Sequence, residues 1–229
     1  VIENNLKSIM SYQLSKKYGY RERDYLKNKN FTSEPNRQAQ LNDLLKKMKR
    51  QIRVNGSQHS ATLHYVSNYG YIPLWILVKV LSFGIVSELF QVLKKEDQKD
   101  IANVYEIAPE TMIVYLPILA NYRNLCAHED ILYENKTQKS IDDTVYHQLL
   151  RIKKVDEEFV QGKNDLFALI IIMKQLLLPE DFKNMTIELD NIIPPRFLFK
   201  ENKNQKFNLL FKRNTNKFDT TFKYGKYST

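Results

Sequence analysis

Apolar side chains recur along this chain with a period near 3.6 residues from its first positions, the spacing of amphipathic helices. Ile2, Leu6, Ile9, Met10 and Leu14 predict a helix over 2–18, stopped by Gly19. No capping residue precedes it, so the pattern leads us to expect a helical segment upstream of Val1. A polar stretch rich in Asn and Lys runs on to Pro35. Leu41, Leu44, Leu45, Met48 and Ile52 then predict a second helix over 37–53, ended by Asn55-Gly56. Its opposite face carries Lys46, Lys47, Lys49, Arg50 and Arg53. A short helix is predicted over 60–69, with His59 and His64 near its start. Pro73 opens an apolar helix over 74–83, and after Gly84 the pattern continues helically over 85–93.

Further helices are predicted over 97–105, 142–150 and 165–178. Between the first two, Pro109 stands at the first position of a long helix with Glu110 in its first turn. That helix is expected to kink at Pro117 and to reach about Tyr133. Pro179, Pro194 and Pro195 read as breaks, and Trp75 and Cys126 read as core packing. Residues 1–195 are thus expected to form an all-α domain. The pattern then changes over 196–229. Phe197, Phe199, Phe207, Phe211, Phe218, Phe222, Tyr224 and Tyr227 alternate with Asn and with cations that include Lys206, Lys212 and Arg213. This basic aromatic extension suits either an RNA contact, with rings on bases and cations on phosphates, or packing against the helical body.

Composition narrows the function classes. One cysteine excludes a disulfide framework and a thiolate zinc site, and four histidines leave little for a His-rich metal centre. With only 6 glycines there is no Gly-rich phosphate loop. The net charge of +9 is unevenly spread. Residues 1–60 hold 13 Lys/Arg against 5 Asp/Glu, residues 61–195 hold 13 against 19, and residues 196–229 hold 9 against 2. Two basic ends around an acidic middle favour a polyanionic partner, nucleic acid before membrane; the plain alternative is a solvated basic surface. No membrane span is expected: Lys79, Ser82, Ser87, Glu88 and Gln91 interrupt the apolar run over 72–93. The single cysteine makes a reducing, cytoplasmic setting the expectation, and no secretory leader is legible.

The histidine with chemically suggestive neighbours is His128, in Arg123-Asn124-Leu125-Cys126-Ala127-His128. An Arg, an amide and a His on a helix next to apolar core can hold a phosphate and move a proton. On spacing alone, a buried His with an Arg in a surface ion pair is the commoner explanation of such a run. His59 and His64, and the pairs Glu157-Glu158 and Glu129-Asp130, read as structural or solvated.

The run Arg123 to His128 resembles the R-x4-6-H signature of the HEPN superfamily of RNases. The ordered landmarks Ile2-Glu3-Asn4, Tyr18-Gly19-Tyr20, His64-Tyr65, Pro73-Leu74-Trp75 and Phe83-Gly84 are similar to those of the Abi-like, or abortive infection, family of bacterial phage defence. The resemblance covers about residues 1–150. It implies a HEPN-type helical bundle acting as a homodimer, whose paired motifs cleave RNA without metal or other cofactor through attack of the ribose 2′-hydroxyl. By this resemblance Arg123 meets the phosphate, His128 is the general acid/base, and Asn124 orients it. Glu129-Asp130 departs from the pattern, which often has a second His there, and Asn135 matches the Asn that closes it. Two other expectations remain open: an RNA-binding protein held inactive by a structured non-coding RNA, and a toxin neutralised by a protein antitoxin.

Overall fold

The structure, a computed structural model, describes residues 1–55, 58–149 and 152–192, and helices dominate it. α1 (Ile2–Tyr18) buries Leu6, Met10 and Leu14 and ends at Gly19, which turns the chain at φ +92°. α2 (Glu22–Tyr25) and two 3-10 turns (Asn28–Asn30, Pro35–Arg37) lie in the polar stretch. α3 (Gln38–Asn55) buries the predicted Leu41, Leu44, Leu45 and Met48. α4 (Ser60–Tyr69) ends at Gly70 in the left-handed region. α5 (Leu74–Val80) follows, then α6 (Phe83–Val92), where the Ser82 hydroxyl accepts from the Ile85 N–H. α7 (Lys95–Asn103) and α8 (Pro109–Ala127) complete the main body.

α8 packs most extensively on α6, and also touches α7. α1 lies across α5 and α7, while α3 closes the other side of α5 and α6. Asp97, almost fully buried on α7, accepts from Lys17 Nζ and from the Tyr18 hydroxyl, each at 2.6 Å, and so fastens the end of α1. The Thr32 N–H donates to the Val92 carbonyl at 2.9 Å, which ties the polar stretch to the end of α6. Among the described residues no helix is long and apolar enough to cross a membrane.

Beyond α8 come α9 (Val145–Leu149), a hairpin of β1 (Lys154–Val155) and β2 (Glu158–Phe159), α10 (Leu166–Leu176) and α11 (Pro179–Ile192). α10 contributes to the main core through Ala168, Leu169, Ile171 and Ile172. Ile152, Phe159, Ile170 and Phe182 form a second, small cluster. His147 is fully buried beside it, its ring stacked 4.8 Å from that of Phe159. The Thr144 N–H donates to His147 Nδ1 at 3.0 Å, so Nε2 carries the proton and donates to the Gly162 carbonyl at 2.9 Å.

Several expectations need correction. α8 stops at Ala127, not near Tyr133. As expected, it runs on through Pro117, with Tyr115, Leu116, Ile118 and Leu119 buried on both sides of the proline. Pro179 does not simply end a helix: it is the first residue of α11, where its missing N–H costs nothing. The helix predicted over 142–150 shrinks to α9. The hairpin was not foreseen, since its two-residue turn is Asp156-Glu157, with φ +49° and +66°, where such turns favour Asn-Gly. Trp75 is 39% exposed and is not core. The extension over 196–229 lies outside the described residues.

Two outcomes follow from these contacts. Gly162 has φ +83°, and a Cβ there would stand 3.0 Å from His147 Nε2. Gly162→Ala is expected to destabilise the protein by about 1–3 kcal/mol, read as a lower denaturation midpoint. Burial, then the hydrogen bond to and charge of Asp97, push the Tyr18 hydroxyl up to about 12 from 10.0. The neutral phenol is the favoured native form, so its stabilising share is complete below pH 10 and is lost as pH rises toward 12. Stability measured across that window should fall less steeply in Tyr18→Phe, whose ring cannot ionise.

Candidate functional site at the end of α8

The period of α8 decides what its last turns expose. Met112, Tyr115, Leu116, Leu119 and Tyr122 are buried along one side. Asn121, Arg123, Asn124, Cys126 and Ala127 are therefore turned to solvent. Cys126 is exposed, contrary to its reading as a packing residue. His128 caps the helix and is exposed as well.

The helix ends in a Schellman motif. The Glu129 N–H donates to the Cys126 carbonyl at 3.4 Å, and the Asp130 N–H donates to the Leu125 carbonyl at 3.0 Å. This motif needs a left-handed residue, and Glu129 supplies it at φ +57° although glycine is the usual choice there. The turn points the chain away just after His128. The loop is then drawn back: Tyr122 donates its hydroxyl proton to the Asn135 carbonyl at 2.9 Å, and the Asn135 amide donates to Asn121 Oδ1 at 2.9 Å. Ile131 and Tyr133, 57% and 72% exposed, stand on that loop beside the motif.

Arg123 is half-exposed, and its Nε donates to Glu3 Oε2 at 3.4 Å. The other Glu3 oxygen accepts from Lys7 Nζ at 2.7 Å, and Lys7 also donates to the Leu81 carbonyl at 2.8 Å. Arg123 is thus tethered through α1 to the end of α5. No described residue engages its outer nitrogens, so the two-pronged edge that suits a phosphate stays open. Among the described residues, the Asn124 side chain and the His128 ring have no hydrogen-bond partner; the His128 backbone N–H donates to the Asn124 and Leu125 carbonyls at 3.1 and 3.2 Å. Glu3 was missed as a site residue. It stands 120 positions from Arg123, so spacing gave no signal, although it lies within the quoted Ile2-Glu3-Asn4 landmark.

The cations of α3 lie elsewhere. Lys46, Lys49, Arg50 and Arg53 are exposed without an ion pair to any described residue. Lys47 is already engaged: its ammonium donates to Glu88 at 2.8 Å and to Asp43 at 2.9 Å, and these bonds hold it above the usual lysine range. Arg23, Lys27, Lys46, Lys49 and Arg53, with Glu22, line a groove of about 610 Å³ between α2 and α3. None of Arg123, Asn124 and His128 lines it. Lys206, Lys212 and Arg213 lie outside the described residues. His59 and His64 are both exposed, and among the described residues no group of His, Cys, Asp and Glu is assembled to hold a metal ion.

A family model described as Abi-like protein matches residues 1–134, from α1 through the loop that follows α8. No curated protein and no solved structure matches the chain.

Glu129 offers a direct test of this local geometry. Glu129→Gly should relieve the left-handed strain and raise stability by up to about 1 kcal/mol, net of the glycine's extra freedom in the unfolded chain. Thermal unfolding of the two proteins measures it; a less stable glycine variant would contradict the assigned cap.

Proposed function

The chain belongs to the family of Abi-like proteins, and from that premise we propose that it is a metal-independent endoribonuclease of bacterial phage defence. The observation that supports this best is the joint exposure of Arg123 and His128 at one helix end, with the outer edge of the guanidinium open. In this reading Arg123 holds the scissile phosphate and stabilises the charge that builds on it. His128 takes the proton from the attacking 2′-hydroxyl or gives one to the leaving 5′-oxygen. Asn124, one turn earlier, faces the same solvent and orients substrate or imidazole. Glu3 keeps Arg123 in place without touching RNA, and Asn135 holds the loop that borders the site.

One copy supplies a single Arg and a single His. The reaction needs charge stabilisation and two proton transfers. A two-fold homodimer that sets two motifs face to face provides both histidines. The exposed Ile131 and Tyr133 give such a contact an apolar border beside His128. A second reading is favoured by a separate observation: the groove of α2 and α3 is cationic yet shares no residue with the motif. An RNA held there could regulate the nuclease rather than be its substrate.

The test is cleavage by the purified protein in EDTA, with products carrying a 2′,3′-cyclic phosphate and a 5′-hydroxyl. His128→Ala should lower the rate by about 10²–10⁴-fold, and Arg123→Ala by a similar order. Arg123→Lys should rescue poorly, since an ammonium cannot make paired contacts. Glu3→Gln should slow cleavage by loosening Arg123, and should also lower stability, because Lys7, 10% exposed, loses its carboxylate partner. Wild-type cleavage by His128→Ala, or full activity in a strictly monomeric protein, would refute the assignment.

A further inference from the structure

Six rings form a continuous strip on the surface that the α8 site does not use. From Trp75 the ring centroids step to Tyr20 at 5.6 Å, to Tyr71 at 5.8 Å and to Tyr69 at 6.3 Å. They continue to Tyr65 at 5.5 Å and to His64 at 5.5 Å. The backbone turns build this row. Gly70, left-handed at the end of α4, lets Tyr69 and Tyr71 stand side by side. The turn at Gly19 delivers Tyr20, whose carbonyl accepts from the Leu74 N–H at 3.2 Å next to Trp75. From Trp75 to Tyr65 the successive planes are tilted by 38–51°, so the rings fan out and do not cover one another's faces. Tyr69 is 58% exposed and Trp75 39%. A contiguous aromatic surface of this kind marks a binding face.

Charge identifies the occupant. The Arg21 guanidinium lies 5.2 Å from the Tyr71 ring and 5.9 Å from Tyr20, with no ion pair to any described residue. Two residues on, Arg23 lines the groove of α2 and α3 with Lys46, Lys49 and Arg53. Glu22, between the two arginines, is occupied in accepting the Ile72 N–H at 2.7 Å, and Tyr25 donates to the Ile72 carbonyl at 2.8 Å. α2 is thus locked to the residue beside Tyr71, and it joins the aromatic strip to the cationic groove. A single-stranded nucleic acid offers ring faces and a line of phosphates in one polymer. A duplex hides its base faces, and a protein partner would have to bring aromatic-binding and acidic rows together.

We propose that the strip and the groove are one site for single-stranded RNA, whose bases stack on Trp75, Tyr20 and Tyr71 while its phosphates meet Arg21, Arg23, Lys46, Lys49 and Arg53. The inference goes beyond the cleavage chemistry and rests on that reading only in taking the polymer to be RNA.

Trp75 is the only tryptophan, so its emission in the full chain reports on the strip alone. The probe is a 2′-O-methyl oligouridylate of about 12 nucleotides, within the span such grooves cover. It has no free 2′-hydroxyl and survives whatever the α8 motif does. Saturable quenching of Trp75 is expected, with little from a duplex of the same length. Tyr71→Ala and Tyr20→Ala should each weaken binding by about 5- to 100-fold, and Tyr71→Phe should bind as wild type. Lys46→Gln with Lys49→Gln should weaken binding and flatten its salt dependence. Binding seen by anisotropy without any change in Trp75 emission would overturn the proposal, as would equal quenching by the duplex or wild-type affinity in folded Tyr71→Ala. Emission that responds only to protein concentration would assign the strip to a protein contact, and tighter binding of an oligodeoxythymidylate would assign it to DNA. Loss of RNA cleavage would leave these outcomes untouched, and their failure would leave the cleavage reading standing.

Discussion

Burial of α8 along Met112, Tyr115, Leu116, Leu119 and Tyr122 places the candidate catalytic residues. Each such side chain contributes about 1.5–3 kcal/mol when removed from water. Rotating α8 by one residue, about 100°, would expose several of them and turn Arg123 toward the core. The apolar stripe therefore fixes the azimuth of Arg123 and Asn124 without any contact made for that purpose. The Schellman turn then sets where the helix stops, and so where His128 projects. The exposed side chains at this end are thus placed by packing energy spent on the opposite side of the helix.

α1 provides the complementary restraint. Its buried Leu6, Met10 and Leu14 seat it, and two polar residues on its flanks each reach across to another element. Lys7 meets Glu3 and the Leu81 carbonyl near the start, and Lys17 meets Asp97 at the end. A lysine ammonium so close to the core is tolerable because both of its described partners are oxygen acceptors. The same arrangement hands Glu3 to Arg123. A residue of the first turn thereby becomes part of a site assembled at the far end of an eighth helix.

Much of the fold was legible because period, glycine and proline speak locally. α1 has the predicted bounds of 2–18, and α4 those of 60–69. The helical class and the exposed α3 cations also follow from pattern alone. What was not legible depends on tertiary context. Whether Trp75 faces the core or solvent cannot be read from Pro-Leu-Trp-Ile-Leu, since both neighbours in the pattern are apolar; the packing of α5 on α1 and α3 decides it. The end of α8 carried no Gly signal, because Glu129 takes the position that a glycine would have marked. Lys47 looks like its neighbours on α3 until Glu88 of α6 comes beside it. The aromatic strip gathers rings from three separate segments, and no spacing rule connects them. By contrast, Arg123 and His128 are singled out by a motif alone, and the structure places both on the surface.

The two apolar clusters are unequal. The larger spans α1 to α8 with part of α10, while the smaller holds four buried residues beyond α8. Tyr146, Phe167 and Met173 touch both. Opening of the smaller cluster costs far less than opening the larger, so the two should separate as cooperative units in native-state hydrogen exchange. Amides of the hairpin and the outer turns of α11 would then exchange by a sub-global route that leaves α8 protected. The molecule can thus lose its carboxyl-side layer transiently and still keep Arg123 on the same scaffold, which uncouples the lifetime of the candidate site from that of the layer beside it.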